Sequence, residues 1–202
     1  MSNEQRETWD KLYDRKGELW SRKYDDWFLS ADSGLLLDLG CGTGKSIDGL
    51  RGCIVGVDHS LTALRLSKRR HESVDFLAAD SSKLPFRDDS FDLIRAFYLF
   101  GHLDERGIAD TISEISRVLK KSGRLAIEVF SVHDERSGRG RLISRNTYRD
   151  GEGITRRYFE PSEIAEMFRD FTRERLETVE WKQRAGPGKE LKRSAIRAIF
   201  RK

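Results

Sequence analysis

The sequence predicts an α/β protein built on a doubly wound, seven-stranded sheet, and three observations predict it. Five apolar runs of strand length alternate with helical patterns over the first 130 residues. A glycine-rich turn closes the first of those runs. Near the end of the chain, two further strands are joined by residues 182–191, a connection too short for a helical crossover, so the final strand runs antiparallel.

The apolar runs are 35–39, 53–57, 74–78, 91–98 and 125–130. Runs this continuous read as strands covered on both faces, as in a parallel sheet flanked by helices. Ser60 is placed to cap a helix through Leu61 and Leu64 that ends on Lys68, Arg69 and Arg70, where cations suit the helix C-terminus. Ile108, Ile112, Ile115 and Leu119 repeat at helical spacing, and the segment from Lys120 to Gly123 stops that helix. Residues 133–157 are polar, rich in arginine and punctuated by Gly138, Gly140, Gly151 and Gly153, which predicts a long loop or lid. Pro161 opens a helix through Ile164, Met167 and Phe168. Residues 172–181 and the alternation of Ile196, Ala198 and Phe200 supply the last two strands. Residues 1–30 read as a helical segment in which Trp9 and Tyr13 share a face; Trp20, Tyr24, Trp27, Arg22 and Lys23 follow.

The 202 residues are 37% hydrophobic and 36% charged, enough apolar material for one domain and too much for a disordered chain. No stretch is apolar enough for a membrane span, and the polar N-terminus lacks the apolar core of a signal peptide. Cys41 and Cys53 make neither a metal-type spacing nor a disulfide framework. We therefore expect one soluble cytoplasmic domain over 1–202, with no membrane partner and no metal. The net charge of +4 is unevenly placed: residues 131–202 carry 18 basic against 12 acidic residues, and seven arginines fall between Arg136 and Arg157. Such a patch suits an anionic small molecule, RNA or plain solvent exposure.

The strongest chemical signal is the turn Asp38-Leu-Gly40-Cys41-Gly42-Thr-Gly44-Lys45. It misses the dinucleotide spacing by one residue, because Lys45 stands where the third glycine belongs, and misses a phosphate loop because Leu39 stands where the first belongs. The helix expected after it would offer unpaired N–H groups to a polar ligand. At Val55-Gly-Val-Asp58 an acid ends the second strand; at Ala79-Asp80-Ser81 another ends the third, with Leu84-Pro85-Phe86 and Phe91-Asp92-Leu93-Ile94 after it.

Together these segments resemble the class I S-adenosylmethionine-dependent methyltransferases of the methyltransferase domain 11/25 type, over roughly residues 35–130. The resemblance implies a sheet of order 3-2-1-4-5-7-6 with strand 7 antiparallel, and S-adenosylmethionine as cofactor. It implies contacts from Asp38, Gly40, Cys41, Gly42, Gly44, Asp58, His59, Asp80, Ser81 and Phe97, with Asp58 on both ribose hydroxyls and Asp80 on the adenine amino group. His102 follows strand 4 and His133 follows strand 5, so both border the expected acceptor pocket as candidate proton acceptors. Tyr98 and Phe100 either stack on an acceptor or complete the hydrophobic strand. Arg95 and Glu128 interrupt adjacent apolar strands and are expected to meet each other or shared polar partners.

The acceptor is read less directly. The C-terminal portion, with His133-Asp134, Asn146-Thr147 and Tyr158-Phe159, is similar to small methyltransferases of the tellurite-resistance type, which implies a small-molecule acceptor. The Leu-Asp-Leu-Gly-Cys-Gly-Thr-Gly-Lys run is also similar to the tRNA wobble-uridine carboxymethyl methyltransferases, though their paired histidines are reduced here to Gly101-His102. A non-catalytic protein that binds the cofactor for regulation is the alternative of another class.

Overall fold

In a computed structural model of the chain, residues 3–19, 34–186 and 188–202 are described. The main sheet is formed by β1 (Leu35–Leu39), β2 (Cys53–Asp58), β3 (Asp75–Ala78), β4 (Phe91–Phe97), β5 (Leu119–Phe130), β9 (Thr172–Arg184) and β10 (Glu190–Arg201). Their order is β3-β2-β1-β4-β5-β10-β9, with β10 antiparallel to both of its neighbours. This is the predicted seven-stranded topology. The helices are α1 (Asn3–Lys16), α2 (Leu61–Arg70), α3 (Glu105–Val118) and α4 (Pro161–Met167), and no helix of the described residues is long and apolar enough to cross a membrane.

Strand alternation sorts the core into two faces. Leu37 and Leu39 of β1 join Ile94, Ile127 and Val129 on the side covered by Ile108 and Ile115 of α3 and Ile164 of α4. Leu36 points the other way, into a cluster with Ile54, Leu64 and Val74. The helix starts follow the sequence signals. The Ser60 hydroxyl accepts the Ala63 amide (3.1 Å) and Asp104 caps α3 by accepting the Gly107 amide (2.7 Å). Glu160 and Glu163 form a capping box around Pro161.

Four expectations change. No long helix follows the glycine turn: Lys45–Ile47 make a single 3₁₀ turn, because Gly49 and Gly52 take φ of 80° and 106° and β2 begins at Cys53. Helix α3 ends at Val118, before the segment from Lys120 to Gly123 expected to stop it: Leu119 already opens β5, which bulges before pairing resumes at Arg124. Residues 133–157 are not merely loop. They carry a three-stranded antiparallel flap, β6 (Arg141–Ser144), β7 (Thr147–Arg149) and β8 (Thr155–Arg157), turning at Asn146.

The fourth concerns the buried charges. Arg95 and Glu128 are both buried, and strand register gives each its own counter-charge. Arg95 is opposite Asp38 on β1, with Nε 4.0 Å from Oδ1. Glu128 is opposite Arg197 on β10, whose Nε donates at 3.0 Å, and it also accepts the Tyr98 hydroxyl. Because Arg95 registers with Ala126 of β5, Glu128 lies two residues further along that strand.

Candidate active site

The glycine turn leaves β1 with Gly40, Gly42 and Gly44 all at positive φ. It is held from two sides. The amides of Gly40 and Cys41 donate to the Val57 carbonyl (2.7 and 3.0 Å), and the Gly42 amide donates to Asp58 Oδ2 (2.8 Å). From α2, Ser67 Oγ donates to the Gly42 carbonyl (2.6 Å), and His71 Nε2–H donates to the Gly44 carbonyl (2.9 Å). A Cβ on Gly44 would stand 2.9 Å from the His71 ring, so the turn has no room to thicken there.

Sequence reasoning missed Ser67 and His71. Their signal is two polar residues four apart, Ser67 on the buried side of α2 and His71 at its C-cap, and Ser67 is fully buried. Ser67→Ala leaves the Gly42 carbonyl without this donor. We expect it to weaken binding of S-adenosylhomocysteine about tenfold, measured by equilibrium dialysis, since an unmet buried hydrogen bond costs about 1–2 kcal/mol.

Gly40, Asp58, His59, Asp80, Ser81, Phe97 and His102 line one cavity at the carboxyl ends of the central strands, where open α/β sheets bind their ligands. Asp58 spends one lone pair of each oxygen on the turn, accepting the Ser60 amide at Oδ1 (2.9 Å) and the Gly42 amide at Oδ2. A carboxylate has further acceptor sites beyond these two; His59 Nδ1 lies 3.4 Å from Oδ1, and both residues line the cavity. Asp80 Oδ1 accepts the Ser82 amide and hydroxyl (2.9 and 2.8 Å), and the Ser81 hydroxyl is tied to Thr111 of α3 (2.8 Å).

The remaining predicted residues lie elsewhere. Asp38, Cys41, Gly42 and Gly44 shape the turn from behind and are not in the cavity wall. Asp38 is buried, accepts the Ser46 hydroxyl (2.5 Å) and faces Arg95; burial pushes its carboxyl up, and the Arg95 guanidinium opposes that. Arg95 in turn lies 4.5 Å from the centroid of the Phe97 ring, which is in the wall. His133 is exposed beyond β5 and borders neither cavity described here.

Helix α1 closes the site from above with Trp9 and Tyr13. Asp10 Oδ1 anchors it to α2, accepting the Ser60 hydroxyl (2.6 Å) and the Thr62 amide (3.1 Å); Arg15 and Lys16 both pair with Glu152 beyond the flap strand β7 (2.6 Å each). Trp20, Arg22, Lys23, Tyr24 and Trp27 lie outside the described residues.

His102 sits between this cavity and a second one of about 540 Å³ that runs under the flap past Leu103, Ile143, Thr147, Arg149 and Arg157. Its Nδ1 lies 2.8 Å from the Thr155 carbonyl. A carbonyl only accepts, so the proton is on Nδ1 and Nε2 presents a bare lone pair. That Nε2 is buried without a hydrogen-bond partner, beside Trp9, whose ring meets the imidazole edge to face at 4.8 Å. Burial, reinforced by the Arg156 cation, pushes the pKa of His102 down to about 4.

Four of the seven arginines from Arg136 to Arg157 are paired with carboxylates. Arg139 pairs with Glu135, Arg145 with Glu160, Arg156 with Asp150 and Arg157 with Glu163. Three of those four carboxylates lie outside the stretch from Arg136 to Arg157.

Residues 37–127 match the family described as methyltransferase domain. This stretch of the chain is a methyltransferase domain. It contains the glycine turn, both acids and His102, and it stops before the flap. The chain carrying this methyltransferase domain is 33% identical over 115 residues to a demethylmenaquinone methyltransferase of Renibacterium salmoninarum, covering 55% of this chain and 48% of that protein. It is 31% identical over 159 residues to an uncharacterised methyltransferase of Mycobacterium tuberculosis, covering 77% of this chain and 61% of the other. The chain thus spans about half to three fifths of the length of these curated relatives. In fold it is similar to a solved SAM-dependent methyltransferase of Methanosarcina mazei, with a TM-score of 0.70 at 24% identity, over 84% of this chain and 92% of that one.

Proposed function

We propose that this chain is an S-adenosylmethionine-dependent methyltransferase acting on a small-molecule acceptor. The observation that carries the reading is the convergence of Gly40, Asp58 and Asp80 on one cavity, with Asp58 bonded to the very turn it faces. The fit to the cofactor rests on chemistry present in those residues. Asp58 retains acceptor capacity for a pair of ribose hydroxyls, the glycine turn brings bare backbone close to the cavity, and Asp80 and Ser81 line the same cavity with polar groups suited to an adenine. Bound there, the cofactor supplies a methyl group on a sulfonium, and the electrons of the broken C–S bond return to sulfur when a nucleophile takes the methyl in line. The chain's part is alignment and exclusion of water. Trp9 and Tyr13 cover the cavity, Phe97 forms its wall, and His102 Nε2 accepts the proton that the nucleophile sheds.

The ion-paired arginines favour a small acceptor over the tRNA reading, because an RNA site needs cations free to replace counterions. The test is formation of S-adenosylhomocysteine from small-molecule acceptor pools and from total tRNA at two salt concentrations. We expect turnover with the small-molecule pool to change less than about tenfold between about 50 and 200 mM salt. Turnover confined to tRNA and falling about a thousandfold over that range would overturn the reading. Tight cofactor binding with no turnover on either pool would favour the non-catalytic alternative.

A further inference from the structure

We infer that the second cavity is the acceptor subsite and takes a small hydroxylated organic anion, its hydroxyl on His102 Nε2 and its carboxylate or phosphate between Arg149 and Arg157. This deepens the methyltransferase reading and rests on it.

The two ends of the cavity carry complementary unmet groups. At the end shared with the cofactor cavity, His102 Nε2 is a buried acceptor with no partner. Its tautomer is fixed by the Thr155 carbonyl, so only a donor satisfies it, and a hydroxyl is such a donor. Arg157, also in the wall, keeps a buried Nε–H without a hydrogen-bond partner, although its guanidinium pairs with Glu163 (3.2 Å) and lies over the Phe159 ring. Buried polar atoms are seldom left unmet, and two of opposite sense on residues that line one cavity describe the ligand that would meet them.

Arg149 adds the charge. Four of its arginine neighbours in sequence are committed to carboxylates, whereas Arg149, like Arg136 and Arg141, makes no ion pair among the described residues, and of those three only Arg149 lines this cavity. Its Nε–H donates to the Thr155 hydroxyl (3.2 Å), which leaves the rest of its planar fork at the cavity wall. Thr155 therefore holds both ends: its carbonyl sets the His102 acceptor and its hydroxyl sets the Arg149 cation. The spacing between nucleophile and anion is built into one residue of β8. The acids that share the cavity compete weakly, since Asp104 is spent capping α3 and Glu105 is exposed. A bidentate anion suits the arginine pair better than a neutral acceptor.

The reaction this implies balances without a further reagent. The hydroxyl oxygen bonds to the methyl carbon, the C–S pair returns to sulfur, and the hydroxyl proton passes to His102 Nε2 and then to solvent.

The experiment is calorimetric titration of the whole chain saturated with S-adenosylhomocysteine. The probes are 3- and 4-hydroxybenzoate, 4-hydroxyphenylacetate and the matching neutral amides. At least one carboxylate is expected to bind at least about tenfold more tightly than its amide, and Arg149→Gln to remove that preference while S-adenosylhomocysteine still binds as before. A second readout, the imidazole ¹⁵N signal of His102 Nε2, is expected to shift with the hydroxylated probe and not with 4-methoxybenzoate. No binding by any carboxylate, equal binding of the amides, or an unchanged preference in Arg149→Gln would overturn the inference. Failure of S-adenosylhomocysteine itself to saturate the chain would strike the methyltransferase reading instead, and is seen in the loading step before any probe is added.

Discussion

Asp58→Asn is expected to weaken S-adenosylhomocysteine binding by about a hundredfold while leaving the chain folded. The carboxylate is the group assigned to the ribose, and it already accepts the Gly42 and Ser60 amides. An amide of the same shape keeps one acceptor oxygen and turns the other position into a donor, so it fails both the backbone and the sugar on one side. Losing charge-assisted hydrogen bonds at about 1.5–3 kcal/mol each makes about 3 kcal/mol a fair expectation, which is the hundredfold. Quenching of tryptophan fluorescence on titration reads the affinity, since Trp9 lines the same cavity; a melting curve checks the fold. An affinity within about threefold of the parent chain would remove Asp58 from the site.

The second large effect is a dependence of stability on pH that resides in His102. Its pKa falls from 6.5 in the free side chain to about 4 in the folded protein. Above pH 6.5 the imidazole is neutral in both states and the burial carries no protonation penalty. As the pH falls from 6.5 towards 4, the unfolded chain takes up a proton at His102 and the folded chain does not, so stability is lost through that window. The loss amounts to about 3 kcal/mol once the pH is below the folded value. Urea unfolding of the parent chain and of His102→Asn across this range is expected to show the parent losing stability more steeply, with the curves drawing together by about 3 kcal/mol. Parallel curves would mean that His102 is not the buried neutral base described. The same property keeps the base unprotonated through the physiological range, so an activity limb due to His102 falls near pH 4 rather than near 6.5.

The cofactor half of this site was legible because its chemistry is local. A glycine turn and an acid at the end of each of two strands are written in short consecutive runs, and the parallel topology brings strand ends together whatever lies between them. The half proposed for the acceptor was not. His102 shows in sequence, but its partner Thr155 lies 53 residues away on a flap strand, and the flap itself is built of strands three and four residues long with too few apolar positions to announce them. The pairing within the arginine run was not legible for a related reason: Glu135, Glu160 and Glu163, which pair with Arg139, Arg145 and Arg157, flank the segment rather than interleave with it. Asp38 is a third case. Its motif position implied the cofactor, but did not show the burial of Asp38 against Arg95, a register that only pairing of β1 with β4 creates. The missing helix after the turn follows from Gly49 and Gly52, residues present in the sequence whose spacing leaves room for a single turn before β2.

The central claim is that the glycine turn and the two acids beside it hold an adenosyl cofactor, and calorimetric titration of the whole chain with S-adenosylhomocysteine tests it most directly. The account predicts saturable heat with one ligand bound per chain, abolished when Asp58 and Asp80 are both replaced by alanine. Absence of any heat from the folded parent chain, or binding that survives the loss of both carboxylates, would contradict it.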